Sequence, residues 1–337
     1  MLRLEKSCFG IFCIVSCILL FAACSSSENS GDNETESCNR IESEVAADIA
    51  SLAPDYHEIA FSSKRDGDFE IFVMFADGTN VRQLTTNDAN DGKPHWSPDG
   101  KQIVFTSDRD GDFEIFVMFE DGTNVRQLTT NDALESSPRW SPDGKQIVFS
   151  SNRDGKYEIF VMDADGTNVR QLTANGGVNY RPDWSPDGKQ IVFTSGRDGD
   201  WDTFPDPELF VMDADGTNVC KMKQIDFDVR FSNAAWSPNG KHIAYTASSL
   251  DDQVCSSDIF VADMDGTNAR QLTHANWGDE CETKIFPAWS PDGKLITFLT
   301  DAFRYDLDEE FDIFVMDANG DNLLRLGQRG QHPSFKP

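Results

Sequence analysis

The chain has 337 residues, enough for one large domain or two ordinary ones, and sets 58 acidic residues against 29 basic ones for a formal net charge of −29. A body this acidic repels nucleic acid and anionic lipid headgroups, both of which are held through phosphate by Lys and Arg, so nucleic-acid binding is excluded as a main role. The charge instead favours solubility.

The chain opens MLRLEKSCFGIFCIVSCILLFAACSSSENS. Arg3 and Lys6 form a short positive region, Phe9 to Phe21 is almost wholly apolar, and Ala22 and Ala23 precede Cys24, the order of a secretory signal peptide. Small residues followed directly by Cys resemble the lipobox of bacterial lipoproteins, with Phe21 standing where that family usually has Leu. The resemblance implies removal of residues 1–23 and acylation of Cys24. Ser25 after it would direct a lipoprotein to the outer membrane of a diderm cell, facing the periplasm or the cell surface. An uncleaved anchor is the alternative, since the apolar run is close to membrane-spanning length. Residues 24–56 are polar, acidic and poor in apolar side chains, the composition of a tether, with a short helix expected from Ile41 to Leu52.

From residue 57 to the C-terminus the chain is a repeat. The unit PHWSPDGKQIVFTSDRDGDFEIFVMFEDGTNVRQLTTNDA begins at Pro94, and its tryptophan recurs as Trp96, Trp140, Trp184, Trp236 and Trp289, at spacings of 44, 44, 52 and 53. A truncated copy spans Ile59 to Thr85, and Pro333-Ser334-Phe335 matches the beginning of the unit, which makes six units. Each reads as four strands. The first, PxWS, leads into a Pro-Asp-Gly turn. The second is QIVFTS; the third, EIFVM, is apolar on successive residues and so buried on both faces. An Asp-Gly hairpin turn leads to the fourth, VRQLT, which alternates as an outer edge should. A four-stranded sheet buried on both faces and repeated every 44 residues defines an all-β, six-bladed β-propeller, with the Trp in the seam between blades.

The repeated P-x-W-S-P-D-G-K resembles the TolB-like, WD-repeat-like propeller family over residues 57–337. The resemblance implies that the last strand of the chain completes the first blade, setting Phe335 beside Ile59 to Phe61. Leu52-Ala53-Pro54-Asp55 lies one period before Trp96-Ser97-Pro98-Asp99 and is the competing candidate for that strand. TolB itself carries a further α/β domain ahead of its propeller, for which this chain has no room, so a place in the Tol–Pal system is not implied.

Chemistry-bearing motifs are sparse. The run Asp108-Arg-Asp-Gly-Asp-Phe-Glu114 and its equivalents at Asp66-Gly67 and Asp154-Gly155 lack EF-hand spacing and read as tight turns; weak divalent-cation binding is the most they suggest, and no cofactor is implied. There is no G-x-S-x-G, and the five histidines are scattered among the blades, with His95 and His332 expected near one seam. The pattern points away from an enzyme. A hydrolase or lyase acting on peptide or glycan at the channel mouth is the alternative to a binding scaffold. Cys255 and Cys281 fall in loops of one face and suit a disulfide in an oxidising compartment, while the pairing of Cys38 in the tether with Cys220 on an outer edge strand is left open.

The later units carry all the insertions, and these put aromatics among acidic residues: Trp201, Phe204, Trp277, Phe303 and Tyr305. Lys93, Tyr180, Arg181, Asn233 and Phe286, expected just before the first strands, would join them around the mouth of the central channel. These residues outline a docking face for a protein or peptide. The overall charge suits a basic one.

Overall fold

The structure is a computed structural model and describes residues 57–196, 207–223, 229–249, 256–274, 283–300 and 311–337. The tether, Cys24, Cys38, Cys255, Cys281 and the loop aromatics Trp201, Phe204, Trp277, Phe303 and Tyr305 lie outside these residues.

Twenty-three strands follow in chain order. Blade 1 holds β1 (Glu58–Ser63), β2 (Glu70–Phe75) and β3 (Arg82–Gln83). Blade 2 is β4 (Asp91–Trp96), β5 (Gln102–Ser107), β6 (Glu114–Phe119) and β7 (Arg126–Gln127). Blade 3 is β8 (Glu135–Trp140), β9 (Gln146–Ser151), β10 (Glu158–Asp163) and β11 (Arg170–Gln171). Blade 4 is β12 (Val178–Trp184), β13 (Gln190–Gly196), β14 (Glu208–Asp213) and β15 (Cys220–Lys221). Blade 5 is β16 (Val229–Trp236), β17 (His242–Ser249), β18 (Ser257–Asp263) and β19 (Arg270–Gln271). Blade 6 is β20 (Lys284–Trp289), β21 (Leu295–Thr300), β22 (Phe311–Asp317) and the first half of β23 (Leu324–Phe335).

All pairings are antiparallel, and blades 2 to 5 are separate four-stranded sheets. The remaining strands form one seven-stranded sheet, because the twelve-residue β23 belongs to two blades. Its first half is the outer strand of blade 6, with Val315 opposite Leu324; its second half is the innermost strand of blade 1, with Ile59 opposite Phe335 and Ala60 opposite Ser334. The C-terminal strand therefore closes the ring, as the family resemblance implies. The six innermost strands β23, β4, β8, β12, β16 and β20 neighbour one another in a circuit that returns to its start.

The repeated motif is legible atom by atom in blade 2. Trp96 is 1 % exposed and packs in one cluster with Ala60, Ile71 and Val73 of blade 1 and Ile103, Phe105 and Phe116 of its own blade. Ser97 Oγ accepts from Gln102 N (2.9 Å) and donates to Asp99 Oδ1 (2.7 Å), while Gly100, at φ 68°, closes the turn onto the Ser97 carbonyl. Equivalent clusters occupy every seam, including that between blade 6 and blade 1, where Leu299, Ile313 and Val315 meet Ile59, Phe61 and Phe335. Each blade is thus buried on both faces, which is why the second and third strands are apolar without alternation. The fourth strands of blades 1 to 5 are only two residues long and largely exposed.

A close approach locks the rim. Gly122 in the Asp-Gly turn has φ 84°, and a Cβ there would lie 2.4 Å from the Leu84 carbonyl oxygen of the preceding blade. We expect Gly122→Ala to lower stability by about 2 kcal/mol or more, and Trp96→Ala by about 3–5 kcal/mol, in urea titrations followed by circular dichroism. An unchanged midpoint for either variant would contradict the seam described here.

Candidate functional site: the central channel

The channel is lined by the innermost strands, and these share an irregularity. Lys93, Ser137, Arg181, Asn233, Phe286 and His332, one per blade, have φ between 51° and 56°, in the left-handed region. Each sits at a register shift between the innermost strand and its neighbour, the mark of a β-bulge. A left-handed residue with a side chain costs on the order of 1–2 kcal/mol. The chain uses Gly freely at positive φ in its turns, yet none of these six is Gly.

Lys93, Tyr180, Arg181, Asn233 and Phe286 all fall within β4, β12, β16 and β20 rather than just ahead of them. The strands start earlier than the PxWS pattern implies because pairing resumes on the far side of each bulge, as at Asp91 opposite Ser107. Four of the five, all but Tyr180, line one cavity of about 300 Å³ along the channel, together with His95, Ser137, Arg139, Asp183 and His332. Lys93, Tyr180 and Arg181 also line a second cavity of about 450 Å³ with Tyr157 and Arg230.

Sequence reasoning missed Ser137, Arg139 and Asp183. The signal was the variable position of the P-x-W motif: His95, Arg139 and Asp183 occupy it in blades 2, 3 and 4, and Ala235, Ala288 and Ser334 in the others.

The local electrostatics oppose the overall charge. Lys93 Nζ donates to Ser136 Oγ (2.6 Å), Arg139 Nη1 to the Pro138 carbonyl (2.9 Å), and Arg181 Nη1 to Asn233 Oδ1. The Arg181 guanidinium also lies over the Phe286 ring, 4.5 Å from its centroid, and Phe286 meets His332 edge-on at 4.5 Å. Asp183 is the one acidic side chain lining the cavity, and its Oδ2 accepts from Trp236 N at 2.9 Å. Burial pushes the Asp183 carboxyl up to about 6 against the pull of Arg139. Burial, reinforced by Arg181 and Arg139, brings the Lys93 amine down to about 8. Burial and the neighbouring cations hold His95 and His332 well below the usual histidine range, so both are neutral at pH 7. Among the described residues no group of three His, Cys, Asp or Glu side chains is placed to hold a metal ion.

The face bearing the bulges is braced by the loops after the second strands. In blade 2, Arg109 Nη2 bonds the fully buried Asp91 carboxylate at 2.9 Å and lies over Phe116 at 4.7 Å; Arg153 and Glu135 repeat the pair in blade 3 at 2.8 Å. The Asp-rich run is absorbed by the same loops. Asp108 accepts from Asn90 N (2.7 Å) and Nδ2 (2.8 Å), and Gly111, at φ 118°, turns back onto the Asp108 carbonyl. Cys220 is exposed on β15, with no disulfide partner among the described residues.

Six four-stranded antiparallel blades closed by a C-terminal strand around a channel define the class: a six-bladed β-propeller. The TolB beta propeller domain family matches residues 34–137 and 132–279, and the chain belongs to that family. TolB from Acinetobacter baumannii shares the fold, with a TM-score of 0.69 and 21% identity over 84% of this chain and 68% of that one. A protein assigned as TolB from Agrobacterium tumefaciens does so with a TM-score of 0.63 and 22% identity, over 82% of this chain and 90% of its own. A curated relative, dipeptidyl-peptidase 5 of Porphyromonas endodontalis, is 34% identical over 73 residues, so the match spans 21% of this chain and 10% of that protein.

Lys93 gives the direct check on this electrostatic description. Its pKa is lower folded than unfolded, so between about 8 and 10.5 the unfolded chain holds one proton more, and stability rises with pH across that window. We expect a side-chain NMR titration midpoint near 8 that is absent from Lys93→Met, together with loss of this rise in stability. A midpoint near 10.5 would contradict the burial of the amine.

Proposed function

We propose that the propeller is a binding scaffold that docks a protein or peptide partner on the face around the channel mouth. The observation that carries this reading is the split between what repeats and what diverges. Seam tryptophans, turn glycines and the paired aromatics of the second and third strands recur from blade to blade, such as Phe61–Phe72, Phe105–Phe116 and Phe149–Phe160. The six left-handed positions hold six different residue types. Strained backbone that carries a different side chain in every blade is costly for folding and useful for recognition. In this reading the insertions of blades 4 to 6 would enlarge the same docking surface, with Trp201, Phe204, Trp277, Phe303 and Tyr305 as anchors.

Acylation of Cys24 would tether this scaffold to an envelope membrane on the exported side of the cell, with residues 25–56 as spacer. The likeness to TolB supports an envelope setting. A partner reached from such a tether gains effective concentration from the shared membrane.

Two experiments test the reading. A photoreactive amino acid at Tyr180 in intact cells should capture a defined partner, and the double variant Arg181→Ala, Phe286→Ala should lose that adduct while keeping its circular dichroism spectrum. Capture from an outer-edge position such as Gln127 but not from Tyr180 would overturn the docking face. Intact mass of the membrane-extracted protein should correspond to a chain beginning at a diacylated Cys24. A chain retaining residues 1–23 would overturn the tether.

A further inference from the structure

We infer that the channel contains a binding site for a small oxyanion, held by Lys93, Arg139 and Arg181 beneath the mouth. This goes beyond the docking of a partner and does not depend on it. All three cations line one cavity of about 300 Å³, and Asp183 is the one acidic side chain that opposes them there. Their presence runs against composition, because the whole chain carries −29.

None of the three forms an ion pair with a carboxylate among the described residues. Lys93 is met by a hydroxyl, Arg139 by a single backbone carbonyl and Arg181 by an amide oxygen. Most of the donor capacity of the two guanidinium groups is therefore uncommitted. Enclosing three cations against a single carboxylate, Asp183, is expensive, whereas Lys336 elsewhere in the protein bridges two, Glu58 (2.9 Å) and Glu120 (2.5 Å).

Two imidazoles line the same cavity. The buried Nδ1 atoms of His95 and His332, both in residues lining the cavity, have no hydrogen-bond partner. A neutral imidazole can donate from Nδ1, which suits an anion's oxygens. The left-handed backbone at Lys93, Arg181 and His332 is what brings these side chains into the channel. Planar guanidinium forks match carboxylate and phosphate oxygens alike. The size of the cavity, at the lower end of ligand-site volumes, restricts the occupant to a small molecule or a single acidic group.

The test uses the full mature chain, with inorganic phosphate and malonate as separate probes and chloride at matched ionic strength as control. Thermal unfolding and isothermal titration calorimetry supply the readouts. Phosphate or malonate should raise Tm with saturable binding, and the stronger of the two identifies phosphate or carboxylate as the preferred group. Arg139→Met should weaken that binding at least tenfold, and Lys93→Gln should do the same if the first variant fails to fold. Retention of the wild-type response in a folded variant, or an equal response to chloride, would overturn the site. Partner capture at Tyr180 is unaffected by that result, so the two readings fail separately.

Discussion

Everything in this molecule depends on one strand reaching back to the beginning. β23 leaves blade 6 as its outer strand and ends inside blade 1 as its innermost strand. Without that pairing, blade 1 would present β1 as an open edge beside the channel, and the seam of Leu299, Ile313 and Phe335 would be exposed to water. Closure also has a polar latch. Lys336, one residue past the strand, donates its backbone N–H to the Glu58 carbonyl and its ammonium to Glu58 and Glu120, over the Trp96 ring. The last residues thus add a polar tie between blade 1 and blade 2, which the chain already joins through residues 84–90.

A closed ring permits a division of labour. The seams provide stability through nearly identical residues, so the innermost strands can accept an unfavourable backbone conformation at one position each. The strain of six left-handed residues and the enclosure of Lys93, Arg139 and Arg181 are tolerated because each blade is gripped on both faces. The innermost strands accordingly carry a bulge in every blade and a different side chain at each.

Much of the fold is legible in the sequence because each residue of W-S-P-D-G-K serves one structural purpose. The indole fills the seam, the hydroxyl and carboxylate bind the turn, and Gly takes the positive φ. The double burial of E-I-F-V-M is legible for the same reason. The channel is less so. A left-handed bulge at Lys93, Ser137 or Phe286 has no residue signature, since Gly or Asn would ordinarily mark it, and so the sequence pattern starts the innermost strands too late. Net charge does not reveal the channel either: the total is acidic, whereas the cavity concentrates three of the chain's cations against Asp183. Lys93, Arg181, Asn233 and Phe286 line one cavity and Tyr180 another, but Arg139 and Asp183 are hidden in a motif position that looks like filler.

Hydrogen exchange on the closing strand tests the central claim most directly. If the ring is shut by β23, the amides of Gln331, Ser334 and Phe335 and of Ile59 and Ala60 should exchange as slowly as those of β9, in the middle of blade 3. Exchange of Gln331, Ser334 and Phe335 at the rate of an unpaired chain end, with β9 still protected, would show an open array and contradict the closed channel on which both proposed sites depend.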